Sequence, residues 1–468
     1  MTFFGIGFLT ALLYAAALAV YQLDLLSGKI AGEIFNWVLL LGLLYAYWQG
    51  AIHPAVAQEK GRARVVVGFA ILFCGLALFI PPFHSMDLFG YINRGWQQAA
   101  YDINPYVTVV SEMPTLGRDP MLAYHWIDNP SPYGFLYMLW AKALCWIGGG
   151  YREFTLLVFK GSNVLLHFAI AGLLYLGVRK GNQLYQWDIP ERQTLYLYLW
   201  NPLLILHHIA NGHNDLAMAA FVVLAVTLAI YDRWVWVLPS LLAATLMKYA
   251  AVVTLPFAVL FFLKNRPRHP LRTLVTSIVL SGALFLWVSG PFLLDWQSFQ
   301  FEKIVANAGV PTGSIHAFFY HAVKSLHIGI DPEVLKAGLT WGLRGLFLAI
   351  VGVRFYRLIR RPHFSTEQWI LEVVLAQALL ICFVSPKFYP WYLGMFLGAG
   401  LFLRAENPLR QWLVLLSCFQ LLAFTFVGQA HMLNFVVMTA LPTVWVFGRA
   451  KGHQAITESN AGLTPHLG

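Results

Sequence analysis

Long apolar runs separated by short polar stretches set the pattern of this chain. Runs long enough to cross a bilayer, or nearly so, fall at about 3–22, 35–51, 65–82, 151–178, 194–210, 215–231, 234–263, 273–291, 336–354, 368–386, 388–404, 411–427 and 432–447. The 234–263 run is too long for one crossing and carries Lys248 near its middle. A lysine at mid-bilayer is costly, so two short helices are expected to meet there. That division gives fourteen crossings, with 133–149 a further candidate. The expected fold is an all-α polytopic membrane protein. The first twenty residues lack a basic leader region and read as the first transmembrane helix.

Composition agrees with this pattern. Of 468 residues, 59% are hydrophobic and only 11% charged, against about 25% charged in soluble domains. Aromatics reach 16%, which suits belts at the membrane–water interface. The formal net charge of +10 reads as topology rather than as nucleic-acid binding. The four cysteines sit inside apolar runs with no metal-type spacing.

Most of the Lys and Arg fall in short stretches: 59–64, 179–183, Arg233, 264–272, 354–362, Arg404 with Arg410, and 449–451. The positive-inside rule makes these cytoplasmic and puts both termini inside, a parity that requires 133–149 not to cross fully. Two long loops, about 83–132 and 292–335, then lie on the extracytoplasmic face with the turns 211–215, Lys248 and 385–392. The expected organisation is N-terminal helices (1–64), a transmembrane module (65–291) holding the first loop, the second loop (292–335), C-terminal helices (336–452) and a flexible tail (453–468).

The polar residues of that face gather in a few segments. "SMDLFGYINRG" (85–95) puts Asp87, Gly90, Tyr91 and Arg94 on one helical face, with Ser85 as cap. The bland reading of Asp87 is a charge complementing the helix dipole. "NPY" (104–106) is a turn, and "SPYGFL" (131–136) brings Tyr133 ahead of an amphipathic or partly inserted helix. "NGHND" (211–215) joins two spans and contains His213, Asn214 and Asp215. "PKFYPWY" (386–392) sets Lys387 beside aromatic rings, and the second loop contributes His316. Aromatic faces suit a sugar ring, amides and acids suit its hydroxyls, and lysines and arginine suit a phosphate. The ligand implied is a sugar and a phosphate reached from the lipid.

These segments, in this order, resemble the GT-C glycosyltransferases, and most closely the bacterial polyprenol-phosphate-mannose-dependent mannosyltransferases. The resemblance rests on "SMDLFGY", "NPY", "SPYGFL", "NGHND", Lys248 and "PWY" (390–392), and spans about residues 65–395. Phe135 stands where that family has proline. The resemblance implies a GT-C bundle of about 12–14 helices, with short interfacial helices in two extracytoplasmic loops. It implies inverting transfer of a hexose, mannose, from a polyprenyl-phosphate donor to a hydroxyl of a lipid, glycan or other acceptor at the cell membrane.

An attacking hydroxyl must lose its proton, which gives Asp87 the role of general base. Lys248, His316, Arg94 and Lys387 are the candidates for the donor phosphate. Tyr91, Asn93, Asn104, Tyr106, Tyr133, His213, Asn214, Asp215, Trp391 and Tyr392 are the candidates for sugar or acceptor. Asp87 has no close acidic neighbour in sequence, so neither a metal nor another cofactor is indicated, and no nucleic-acid partner is expected. The second reading is a transporter or flippase of lipid-linked sugars, though polar residues clustered at one face and the lack of a repeat favour the enzyme. A hydrolase would want a second carboxylate, for which Asp102, Asp119 and Asp128 are the loop's candidates.

Overall fold

Within a bilayer every backbone N–H and C=O must find a partner inside the protein, and the chain meets this demand with helices. The computed structural model describes residues 1–26, 29–57, 63–265, 270–293, 295, 298, 311–327, 329–423 and 431–449. The tail 453–468, expected to be flexible, lies outside the described residues, as do 299–310 of the second loop and parts of the basic stretches 59–64, 264–272 and 449–451. Among the described residues there is no strand, and one isolated parallel bridge pairs Thr312 with Lys387.

The helices that matter here are α1 (Phe3–Gln22), α2 (Lys29–Ala51), α3 (Ala63–Phe79), α4 (Asp87–Tyr101), α5 (Phe135–Gly148), α6 (Arg152–Tyr185), α7 (Glu191–Leu199) and α8 (Asp215–Ile230). They continue with α9 (Val237–Met247), α10 (Leu255–Asn265), α11 (Pro270–Leu293), α12 (Ile315–Ser325), α13 (Pro332–Arg360), α14 (Thr366–Ala378), α15 (Gly394–Gly400), α16 (Pro408–Leu421) and α17 (Met432–Arg449). Seven are long and apolar enough to cross a membrane: α1, α2, α6, α11, α13, α14 with its continuation to Val384, and α17. Five shorter apolar helices, of 10–17 residues, are α3, α5, α8 and the segments Trp234–Met247 and Tyr249–Asn265. The protein is therefore an all-helical, multi-pass membrane protein, as the pattern implies.

Three differences from that pattern have local causes. α6 runs on to Tyr185 and takes in 179–183, expected as a loop. Polar residues end an apolar run without ending a helix; this one stops at Gln186, which is left-handed at φ 54°. The 194–210 run is split at Asn201-Pro202, where the Asn201 side chain accepts from the N–H groups of Leu203 and Leu204. The 388–404 run is likewise cut to a short turn and α15 after Pro390. By contrast, the expected break at Lys248 is present. Lys248 is extended (φ −150°, ψ 122°) between α9 and a 3-10 turn, Tyr249–Thr254.

α8 is the central helix, packed by α6, α9 and α15 and buried along most of its length. α4 lies on α5, and α5 on α6 and α9. The α5 helix has 14 residues, about 21 Å of rise, too short to span a hydrocarbon core of about 30 Å. Its N-cap, Gly134, presses against the end of α9: a Cβ there would come within 2.0 Å of the Leu246 carbonyl oxygen. The Gly134 N–H also donates to Met247 O at 3.2 Å. Since backbone is what a methyl group would meet, Gly134→Ala is expected to cost about 1–3 kcal/mol. A lower melting temperature of the purified protein, measured beside the parent, checks this; an unchanged one contradicts the close approach.

Candidate active site

A buried amide sets up the site. The Asn211 side-chain oxygen accepts from two successive backbone N–H groups, Phe83 at 2.9 Å and His84 at 2.8 Å, while its Nδ2 donates to Leu206 O at 2.8 Å. The loop after α3 is thus hung on the turn before α8. That turn is itself fixed from α6: Asn163 Nδ2 donates to the carbonyls of His208 (2.7 Å) and His213 (3.0 Å). One turn earlier on α6, Lys160 Nζ donates to Ile80 O at 2.5 Å, at the end of the span that leads into the loop. Gly212 supplies the positive φ (75°) that the turn needs.

Asp87 opens α4 one residue earlier in the helix than the cap rule places it, with its own N–H donated to Ser85 Oγ at 3.2 Å. Its carboxylate is 3.5 Å from Nδ1 of His213, a fully buried ring stacked on Trp391 at 3.8 Å and 14°. Trp391 stacks in turn on Tyr389 at 4.6 Å. Across from this wall, Lys248 pairs with Asp215, the first residue of α8, and lies 4.6 Å over the Tyr392 ring.

Two cavities adjoin at Asp87. The larger, about 710 Å³, is lined by residues that include His84, Asp87, Arg94, Trp126, Tyr133, Lys387, Trp391 and Tyr392. The smaller, about 220 Å³, is lined by Asp87, Tyr91, Pro132, Tyr133, Lys248, Trp391 and Tyr392. Together, their size and their mix of an acid, two lysines and aromatic walls fit a sugar with a phosphate. The second loop closes one edge: Phe388 N–H donates to Thr312 O at 2.9 Å, and Ser314 Oγ to Pro386 O at 2.6 Å.

Burial pushes the Asp87 carboxyl above its ordinary value; the Lys248 ammonium opposes this, and the Asp215 carboxylate adds to it. Burial pulls the Lys387 ammonium below its ordinary value, with Asp87 opposing. The acid and the lysines therefore feel one another through the cavity.

The sequence candidates fall into three groups. Asp87, Tyr91, Arg94, Tyr133, Lys248, Lys387, Trp391 and Tyr392 line the cavities. His213, Asn214 and Asp215 are buried behind the wall they form. Asn93, Asn104, Tyr106 and His316 do not line either cavity. Asn93 is spent on loop backbone, bonding Ala123 O, Ala123 N and His125 O. Asn104 bonds Ser298 Oγ and the Tyr106 N–H, and the Tyr106 hydroxyl donates to Tyr133 O at 2.7 Å. His316 is buried at the start of α12. Arg94, although it reaches the cavity, donates to three carbonyls, Gly90, Trp126 and Asn129, and braces the first loop.

The other loop acids stay outside. Asp102 pairs with Lys142 at the surface, Asp119 takes the Trp96 and Tyr101 donors, and Asp128 lines neither cavity. Among the described residues no group of three or more His, Cys, Asp or Glu could hold a metal ion. Residues that the sequence reading missed are Asn211, Asn163, Lys160 and Tyr389. Polar groups inside the apolar run of α6 were the available signal for two of them.

A profile of the alpha-(1->6)-mannopyranosyltransferase N-terminal domain (MptA/B family) matches residues 4–264, which include Asp87, the 211–215 turn and Lys248. The chain belongs to this family. It is similar to alpha-(1->6)-mannopyranosyltransferase A of Mycobacterium tuberculosis, 24% identical over 388 residues, covering 78% of this chain and 70% of the relative. The A and B enzymes of that name from Corynebacterium glutamicum are 26% and 22% identical over 47% and 81% of this chain, and 46% and 63% of their own lengths. Family membership decides for a membrane mannosyltransferase over a transporter.

The direction of the Asp87 shift has a consequence for stability. In the folded mannosyltransferase this carboxyl holds its proton more tightly than in the unfolded chain, so its charge costs stability at neutral pH. That cost lifts as pH falls through the raised value. Asp87→Asn is therefore expected to melt at or above the parent at pH 7, with the gap closing at acid pH. A melting temperature below the parent's at pH 7 would show that the charge contributes net stability.

Proposed function

We propose that this mannosyltransferase moves mannose from a polyprenyl-phosphate donor to a hydroxyl acceptor, with inversion, and with Asp87 as general base. The observation that carries the reading is the gathering, around one pair of joined cavities, of a half-buried carboxylate that no lysine pairs with, two lysines and an aromatic wall. The acceptor oxygen attacks the anomeric carbon while Asp87 takes its proton. The bond from that carbon to the phosphate oxygen breaks, and the lipid phosphate leaves with the bonding pair. Lys248 and Lys387 are placed to stabilise the charge that grows on that oxygen. Arg94 is assigned to bracing the first loop, and His316 to packing at the start of α12, rather than to the phosphate.

His213 is assigned to orienting Asp87, since its fully buried Nδ1 faces that carboxylate. Tyr91, Tyr133, Trp391 and Tyr392 offer rings and hydroxyls to the sugars. The relatives' names give an alpha-(1->6) product. With inversion this requires a β-linked donor and a primary C6 hydroxyl as the nucleophile. A charged lipid donor is reached from the membrane, so the cavity face is assigned to the extracytoplasmic side and the basic stretches, with both termini, to the cytoplasmic side.

Purified protein assayed with a panel of polyprenyl-phosphate sugars tests this. Mannose transfer from the polyprenyl-phosphate donor is expected, and Asp87→Asn is expected to lower it about 10²–10⁴-fold with the protein still folded. Transfer from a nucleotide sugar alone, or an Asp87→Asn protein as active as the parent, would sink the proposal.

A further inference from the structure

α13 carries Arg344 inside its apolar run and Arg354 at the run's end, and their surroundings differ. Arg354 forms a two-pronged pair with Glu372 of α14, at 2.6 and 2.7 Å. Arg344 has no carboxylate partner among the described residues; its guanidinium lies over the ring of Trp341, at 5.2 Å. It stands eight residues, about 12 Å of helix, inside the apolar run that begins at 336. None of the apolar stretch of α13 is buried in the protein; Arg344 itself is half-buried and lies on Trp341, which is 71% exposed, so the pair borders the outer surface of the span. An arginine inside an apolar span with no carboxylate partner among the described residues calls for an anion from elsewhere.

A line of basic side chains links that place to the cavity. α12 packs on α13, and His316 near the start of α12 is close enough that, after burial, Arg344 is the next cause holding its imidazole down, at about 4. The Ser385 backbone acts on His316 from the other side, and Lys387, two residues on, lines the larger cavity beside Asp87. Lys336, one to two turns up α13 from Trp341, is near enough to act on Lys387.

We propose that Arg344, on the lipid-facing side of α13, is a docking site for the phosphate of a membrane lipid, from which the headgroup passes along Lys336 and Lys387 into the cavity. The occupant, polyprenyl phosphate with or without its sugar, is taken from the donor reading above. The chemistry Arg344 offers, a planar guanidinium above an indole, suits a phosphate mono- or diester whose tail stays in the bilayer.

The test measures equilibrium binding of labelled polyprenyl monophosphate to the purified full chain, with uncharged polyprenol as control and phosphatidylglycerol as competitor. R344Q is expected to weaken polyprenyl monophosphate binding by about tenfold or more, R344K to retain most of it, and both to keep the parent's melting temperature. In turnover, R344Q is expected to raise the donor KM with kcat little changed. Equal affinities of R344Q and parent for the probe, at equal melting temperature, overturn the proposal. Displacement of the probe by phosphatidylglycerol as readily as by unlabelled polyprenyl monophosphate keeps the site and assigns it to bulk phospholipid. If the parent binds polyprenol as tightly as its phosphate, the donor reading falls instead, and Arg344 stands or falls on whether R344Q loses phosphatidylglycerol.

Discussion

The two hydrogen bonds that Asn211 accepts from Phe83 and His84 tie the acid-bearing loop to the turn before the central helix. Everything distinctive about the site follows from that tie. Irregular backbone is tolerated near a bilayer only where its polar groups are met inside the protein. Here a side-chain amide meets two of them at once, and it can do so because Asn163 and Lys160 of α6 hold the turn and the end of α3 in register. With the loop fixed, Asp87 opens α4 beside His213, and α4 in turn presents Tyr91 to the smaller cavity. Loss of one such buried partner strands donors that water cannot reach, at about 1–3 kcal/mol each.

Arg94 shows how the same logic redirects chemistry. From spacing alone, an arginine two turns after the acid is a phosphate ligand. In the structure its N–H groups go to the carbonyls of Gly90, Trp126 and Asn129, and so close the first loop over the cavity. A buried guanidinium must be met by several acceptors, and a loop with free carbonyls provides them. The other cations lining the cavities are Lys248 and Lys387. The first is oriented by Asp215 and by the Tyr392 ring, the second held at the cavity edge by a segment bridged to Thr312.

What was legible in the sequence follows from the cost of exceptions. An acid after a span, a lysine inside an apolar run and a Gly-His-Asn-Asp turn between two spans are each expensive unless used, so each stood out, and the structure brings Asp87, Lys248 and the turn together. The helical, polytopic fold was equally plain from run lengths. What did not show were the uses of ordinary polar residues. Asn93, Asn104 and Tyr106 have the types expected of sugar ligands, yet their polar atoms go to backbone and to Ser298. A one-dimensional pattern cannot tell a residue that faces a cavity from one a turn away that holds the cavity's rim. Nor could it foresee that α6 outlasts its apolar run, because helix ends depend on capping geometry at Gln186 rather than on polarity.

The boundary of the family match adds a last constraint. Residues 4–264 contain Asp87, the turn that holds it, and Lys248 with its partner Asp215. The wall of Lys387, Tyr389, Trp391 and Tyr392 lies beyond that stretch, on a segment between α14 and α15. The site is therefore built across two parts of the chain, and His213 is the hinge between them: its Nδ1 faces the acid of one part while its ring face stacks on Trp391 of the other. A displacement of the 385–392 segment would be felt at the acid through that stack. The aromatic wall and the Asp87 carboxylate are thus joined through the His213 ring.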